Sequence, residues 1–483
     1  MGLSAPNFLE ISYQDPLIAF GKLSHLPWAC FLDSASPSKN LGHYSYIAVD
    51  PFLKISSKNN SVLINNTPSQ DGPFLTLRKI LDIYKIKKNP NLPPFQGGLV
   101  GFFSYDLCHQ IEHLPRNKDD MDFPDLKLGA YDLVIAFDLI NKKSWIISNI
   151  FPSQNPQEKN KKIKKIIDLL NSNRPLPSLN NLNLNLNSTI NPSEIRSNFE
   201  KSDYEQAVQK TINYIFEGDI FQANISQRFS CPINNLTPFQ LYCRLRKINP
   251  APFAAYLNYD DLANNLANNL TIVSASPERF LKLENGSIET RPIKGTRPRG
   301  QSQEEDQKLA QELEASEKDK AENTMIVDLL RNDLSKVCKN NTVKVTQLCQ
   351  LETYASVHHL VSSVIGELAS DKGPIDLLEA AFPGGSITGA PKIRAMEIIT
   401  EIEPTARGPY CGSLGYISFN GDMDMSVIIR TYAIKNNTIS FQVGGGIVAD
   451  STPEKEYQET LVKADALIKA LSSNSQEHSP WFY

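Results

Sequence analysis

Residues 441–471 read FQVGGGIVADSTPEKEYQETLVKADALIKAL. An apolar run is closed by Gly444, Gly445 and Gly446, so the segment reads as a strand ending in a glycine joint. Free backbone N–H groups at such a joint can bind an anion, or the glycines can simply serve a turn. A helix follows, with Thr452 as N-cap and Pro453 at its first position. Leu461, Ala464, Leu467 and Leu471 recur at helical spacing and form its apolar stripe. Glu456, Glu459 and Lys463 fall together on another face. Glu459 and Lys463 alone could be an ordinary surface pair, four residues apart.

A second acidic helix is written in residues 316–337, SEKDKAENTMIVDLLRNDLSKV. Ser316 is its N-cap, and Met325, Ile326, Leu329, Leu330 and Leu334 make its stripe. Asp319 and Glu322, three apart, share a face, where they could merely favour the helix dipole. If the two acidic faces meet, four carboxylates converge and call for a cation. An all-oxygen donor set suits Mg²⁺. Strands and helices alternate along the chain, which by period alone reads as α+β.

The bulk composition narrows the class. The chain has 483 residues, 41% of them apolar and 21% charged, with a net charge of −4. That balance argues against nucleic acid as partner, since there is no basic excess to hold phosphates. No apolar run approaches the length of a membrane span, and the N-terminus lacks the basic and apolar regions of a secretory signal. Seven cysteines, an odd number with no C-x-x-C pair, read as reduced core thiols of a cytoplasmic protein.

The sequence divides into an N-terminal region (1–170), an Asn/Ser/Pro-rich linker or surface loop (171–195), a catalytic region (196–475) and a short tail (476–483). In the first region LTLRKILDIYKIKK is a helix with Leu77, Ile80, Leu81 and Tyr84 on one face. YDLVIAFDLINKKSWIISNI reads as two strands about a turn at Asn141–Lys142. The lysine run of EKNKKIKKIIDLL reads as a solvated helix face. The tandem repeat LANNLANN (262–269), between two strand-like runs, reads as a hairpin tip.

Further chemistry lies in the third region. RPIKGTRPRG (291–300) puts Lys294 after a strand, before a turn glycine. Held among apolar neighbours, a lysine loses charge and becomes a nucleophile. As such it should have no carboxylate beside it. SASPERF places Glu278 just after a strand, a candidate proton donor for the same site. In MSVIIRTYAI, Arg430 interrupts a strand-like apolar run. A buried guanidinium needs an anionic partner, from the protein or from a substrate carboxylate. FPGGSITGAPKIRAMEII is a glycine loop entering a helix at Pro391, and it is not a Walker A loop.

Taken in order, the strings SPERF, RPIKGTRPRG, DKAENTMIVDLLRNDLSKV, VHHLVSSVIGEL, AAFPGGSITGAPKIRAMEII, YCGSLGYISF, IIRT and GGGIVADSTPEKEYQET resemble the chorismate-utilising enzymes. LSHLPWACFLDS, YSYIAVDP and GGLVGFFSYD extend the resemblance to nearly the whole chain. It implies two large antiparallel sheets packed as a sandwich with helices outside and interleaved N- and C-terminal segments. It implies chorismate held on Mg²⁺, with Glu322 and Glu459 as direct ligands and Asp319 and Glu456 acting through water. Arg430, Tyr410 and the Gly446 backbone resemble the grip on the enolpyruvyl carboxylate, and His359, Ser386 and Lys463 match substrate- and metal-shell positions. Within the family, Lys294 and Gln222 are the residues of the aminodeoxychorismate synthases. An amide cannot deprotonate water but can orient ammonia. Lys294 would then add at C2 of chorismate while Glu278 protonates the departing C4 hydroxyl. Ammonia, supplied by a partner glutaminase subunit, would add at C4. Anthranilate synthase component I is the alternative. The N-terminal region of the family can hold a tryptophan pocket, to which Ser34 and His43 correspond, His43 standing where an arginine is common. AEN, with Asn323, replaces the commoner AEH.

Overall fold

The computed structural model describes residues 3–36, 41–151, 155–172, 190–260, 269–354 and 357–472. All but the last residue of the repeat at 262–269, most of the linker at 171–195 and the tail at 476–483 lie outside them. The strands that flank the repeat, Phe253–Asn258 and Leu270–Ser276, do pair antiparallel, as a hairpin requires.

Among the described residues, two twelve-stranded sheets, antiparallel throughout, carry the fold. Both mix early and late sequence. In the first, Phe253–Asn258 pairs with Cys30–Asp33; in the second, Ser413–Ser418 pairs with Gly98–Phe103. One apolar core lies between the sheets, uniting Val100 and Phe102 of the second with Ala136, Leu257 and Ile272 of the first. Two further cores lie under helices: Leu461, Leu467 and Leu471 pack on the first sheet, and Val327, Leu334 and Leu378 on the second. The α+β sandwich with outer helices is therefore the fold.

Local chemistry explains the helices. Pro453–Leu471 starts with proline in its first turn after Thr452, although the Thr452 side chain makes no capping bond. Glu317–Ser335 is capped by Ser316, whose hydroxyl accepts from the Asp319 N–H at 3.3 Å. Pro73–Ile83 buries Leu77 and Ile80 as its periodicity predicts. The lysine-rich helix Pro156–Leu170 departs from expectation. Lys159 is only 4% exposed and donates to Asp132, 2.6 Å from Oδ2 and 2.9 Å from the carbonyl. The helix lies on the sheet, so one lysine of the run points inward and needs a carboxylate. Burial, partly offset by Asp132, lowers its pKa to about 8.

Two crossings between the sheets position everything that follows. Leu270–Ser276 belongs to the first sheet and Arg279–Glu284 to the second; Glu278 sits in the crossing. Met423–Val427 belongs to the second sheet and Thr431–Lys435 to the first; Arg430 sits in that crossing. The run MSVIIRTYAI is thus two strands, not one. Arg430 breaks it with a positive φ of 53°, a conformation a non-glycine residue adopts only under constraint. The crossings are bonded together: the Val427 N–H donates to the Glu278 carbonyl at 3.1 Å, and the Ala275 N–H to the Arg430 carbonyl at 3.1 Å.

Candidate active site

Lys294 lies in Ile293–Pro298, an edge strand paired with Val357–Glu367. The glycine after it is not at a turn. Gly295 (φ 82°) is the extra residue of a bulge, so Lys294 faces Leu360 while Thr296 already faces His359. A Cβ on Gly295 would come 2.9 Å from Leu313 and 3.0 Å from Asp319. The bulge re-aims Lys294 at Glu322, whose Oε1 lies 2.6 Å from its Nζ. Here the structure corrects the expectation that no carboxylate stands beside the amine. Lys294 and Glu322 are 11% and 12% exposed, so the amine and the carboxyl meet largely shielded from water.

Gln222 opens the strand Gln222–Pro232 and is 1% exposed. Its Nε2 donates to the same Glu322 Oε1. Its own Oε1 is buried with no hydrogen-bond partner among the described residues. Opposite runs the strand Thr438–Ile447, which contains the three glycines rather than ending at them. A Cβ at Gly446 would fall 2.0 Å from Gln222 Nε2 and 2.6 Å from Glu322 Oε1. A Cβ at Gly445 would fall 3.1 Å from Glu456 and 3.5 Å from Glu459. Bare backbone is what lets both acidic helices approach this strand.

The expected assembly of four carboxylates is only partly formed. Among the described residues no three His, Cys, Asp or Glu side chains gather closely enough to hold a metal. Each acid has its own partner. Glu459 is 2.6 Å from Lys463, which also donates to the Gly444 carbonyl at 2.9 Å. Glu456 accepts from Ser451 at 2.6 Å, and Asp319 lies 3.6 Å from Arg297. Burial pushes Glu456 up, and the charge of Glu459 adds to it. For Glu459 burial is outweighed by Lys463, Lys318 and Lys294, so its pKa is lowered. The influence of Lys318 and Lys294 shows the two acidic helices facing one another across the glycines.

Glu278 is 5% exposed, and Ser386 Oγ donates to its Oε1 at 2.6 Å. Burial raises its pKa to about 7 against the opposing pull of Ser386 and Lys294, so it exchanges a proton near neutrality. Ser386 stands in a single turn, Gly385–Ile387, before the helix Lys392–Ile402. Pro391 is that helix's N-cap, not its first residue. His359 is 7% exposed, and burial drops its pKa to about 4, so it is neutral; its Nδ1 is 2.9 Å from Thr296 Oγ1. Arg430 bonds the Lys463 carbonyl and has no carboxylate ion-pair partner among the described residues. Burial lowers its pKa, while Tyr410 and Glu459 act the other way. Tyr410 is itself half-buried beside Asn224 and has its pKa raised by burial.

Ser34 and His43 stand elsewhere, in a cavity of about 730 Å³ that also meets Arg279, Tyr416 and Asp424. Ser34 donates to the Tyr44 carbonyl at 2.7 Å. His43 Nε2 is 3.1 Å from Asp138.

Sequence reasoning did not find Thr296, although it lies two residues beyond Lys294 in the same quoted string. Asn323 was noticed without a role. It is fully buried, donates to the Leu360 carbonyl at 3.2 Å and accepts from Ser362. It fixes the acidic helix to the strand that pairs with Lys294. The seven cysteines are free, six buried and Cys349 partly so. Among the described residues no helix is long and apolar enough to cross a membrane.

A family model described as chorismate binding enzyme matches residues 29–469. The chain is 39% identical over 468 residues to anthranilate synthase component 1 of Acetivibrio thermocellus, covering 95% of this chain and 93% of that one. It is 38% identical over 471 residues to aminodeoxychorismate synthase component 1 of Escherichia coli, covering 94% and 95%. The solved anthranilate synthase component I of Streptococcus pneumoniae superimposes with a TM-score of 0.78 at 32% identity, covering 88% and 92%. The chain belongs to the chorismate-binding enzymes. Its relatives carry two reaction names at nearly equal identity, so the choice between reactions falls to the residues of the site.

Proposed function

We propose that this chain converts chorismate and ammonia to 4-amino-4-deoxychorismate. The observation that carries the reading is the pairing of Lys294 and Gln222 on one carboxylate, within reach of a carboxyl that titrates near 7. Lys294, its proton passed to Glu322 2.6 Å away, adds at C2 as the free amine; the ring double bonds shift, the C4–O bond breaks, and Glu278 gives its proton to the hydroxyl, which departs as water. Ammonia then adds at C4, the double bonds shift back, and the Lys294 amine leaves C2. Glu278, now a carboxylate, takes the excess proton from the new C4 ammonium. The enolpyruvyl group stays in place. Gln222 is no base, but its unpartnered buried oxygen is an acceptor for an N–H of ammonia. Arg430 is a cation without a carboxylate, suited to a substrate carboxylate, with Tyr410 beside it and the Gly446 backbone across the site. Neutral His359 and Ser386 orient groups around Lys294 and Glu278, and Lys463 holds Glu459 in place.

Oxygen donors on two facing helices fit Mg²⁺, which takes few protein carboxylates and completes its shell with water and substrate oxygens. Glu322 and Glu459 would hold it, Asp319 and Glu456 through water, and when bound it would neutralise the ring carboxylate of chorismate. Glu322 cannot give the same oxygen fully to Lys294 and to a cation, so occupancy of one loosens the other. The relatives are named as first components, which supports a second component here, a glutaminase that delivers ammonia in the cytoplasm. Ser34 and His43 are proposed to line a tryptophan pocket.

The test is mass spectrometry of the protein incubated with chorismate and Mg²⁺ but no ammonia. A chorismate-derived mass on the peptide containing Lys294, absent in Lys294→Ala, is expected. Lys294→Arg should not restore it, since a guanidinium stays protonated. Normal aminodeoxychorismate production by Lys294→Ala would contradict the reading.

A further inference from the structure

One buried ammonium that the mechanism does not use packs against the active-site turn. Lys392, the first residue of the helix Lys392–Ile402, has a side chain 13% exposed. Its Nζ donates to Asp333 Oδ2, to the Ala381 carbonyl at 3.0 Å and to the Pro383 carbonyl at 2.9 Å. Asp333 is 1% exposed and sits near the end of Glu317–Ser335, the helix that carries Glu322. Ala381 ends the helix Pro374–Ala381, and Pro383 leads directly into the turn that carries Ser386. All three donors of one ammonium are thus used, and they tie the acidic helix to the stretch 381–383. The turn itself is packed without slack. A Cβ on Gly385 would come 2.7 Å from Leu329 of the acidic helix, and one on Gly384 would come 3.3 Å from Phe280, two residues after Glu278. A buried ion pair is no economical source of stability, because a well-packed apolar pair serves as well or better. What an apolar pair cannot do is fix two carbonyls in direction.

We propose that Lys392 is a positioning residue that acts through Ser386 on Glu278. By tying residues 381 and 383 to Asp333, it sets where the Ser386 hydroxyl meets the Glu278 carboxyl, relative to the helix that bears Glu322. The proposal rests on the reading of Glu278 as the acid that acts on chorismate.

The experiment is a double-mutant cycle on the full chain, with chorismate consumption in Mg²⁺ and ammonium as readout. Lys392→Met is expected to lower kcat by about 10–100-fold, the scale of misplacing a catalytic group by a fraction of an ångström to an ångström, with KM for chorismate unchanged. In a Ser386→Ala background the same substitution should cost almost nothing further, because the hydroxyl through which it acts is gone. Losses that multiply independently would overturn the proposal. Lys392→Met leaves the buried Asp333 with only the half-exposed Lys336, 3.0 Å from its other oxygen, as cation partner, so its fold is protected by a second variant, Lys392→Met with Asp333→Leu. That variant should recover the wild-type melting temperature and keep the low kcat. Recovery of kcat along with stability would reduce Lys392 to a structural tie and overturn the proposal. A wild-type chain that consumes no chorismate would instead overturn the functional reading, and this inference with it.

Discussion

Glu278 and Arg279 are consecutive residues that serve two different places. Arg279 faces the 730 Å³ cavity, where its guanidinium is matched: 3.0 Å to Asp424 and 2.9 Å to Glu289. His43 and Lys88, on the same walls, have Asp138 and Asp422. Glu278 faces the cleft, where some groups are left unmatched: its carboxyl is poised near 7, Arg430 has no carboxylate among the described residues, and the Gln222 oxygen has no donor there. The 730 Å³ hollow is therefore the one whose charged groups are paired. Chemistry is read from groups left unsatisfied at and beside the sheet crossings, and not from cavity size.

The sharpest way to break this contrast is Glu278→Gln. Turnover of chorismate should fall about 10²–10⁴-fold, the scale of a lost general acid. Stability should move the other way. The folded-state pKa of about 7 lies above the ordinary 4.5, so the folded protein binds this proton more tightly than the unfolded chain. That contribution is complete below about 4.5 and is lost as pH rises through about 7. Glutamine does not titrate, so denaturant titrations at pH 8 should find the variant more stable than wild type, by an amount on the order of 3 kcal/mol. Equal stability at pH 5 and pH 8 would mean that Glu278 is better hydrated than its burial indicates.

Arg430→Gln should act next most strongly, raising KM for chorismate by about tenfold or more while leaving kcat less affected, since it removes an anion seat and not a proton donor. Steady-state kinetics checks this. Arg279→Met should do the reverse of both. Breaking its ion pairs leaves Asp424 and Glu289 facing an apolar side chain, for a loss of about 3–5 kcal/mol, read by denaturant unfolding, with little change in turnover by the folded fraction. The smallest effect concerns the cavity's occupant: tryptophan should raise the melting temperature of wild type by mass action and should fail to do so when Ser34 is replaced by Leu.

Much of this was legible in advance for physical reasons. The acidic helices declared themselves because stripe and carboxylate spacing agree on the same phase; that they approach each other over the three glycines, which read as a turn or anion joint, was not legible. The sheet crossings were not legible. MSVIIRTYAI is apolar on both sides of Arg430, and a strand that changes sheet is buried throughout, so nothing in its polarity marks the break. Nor could sequence show the Gly295 bulge, because a glycine inside a strand and a glycine ending one look alike. Hence the miss at Lys294: its pairing with Glu322, 28 residues away, follows from the bulge. Lys159 is the same lesson in a helix, where one inward position in a lysine run depends on what the helix lies against.

The most direct test is the product. The chain, given chorismate, Mg²⁺ and an ammonium salt, should yield 4-amino-4-deoxychorismate, with the amine at C4 and the enolpyruvyl side chain retained, as read by mass spectrometry and NMR. It should yield none in excess chelator, with activity returning on added Mg²⁺. Anthranilate with released pyruvate would contradict the assignment of Lys294 and Gln222, and full turnover in chelator would contradict the metal.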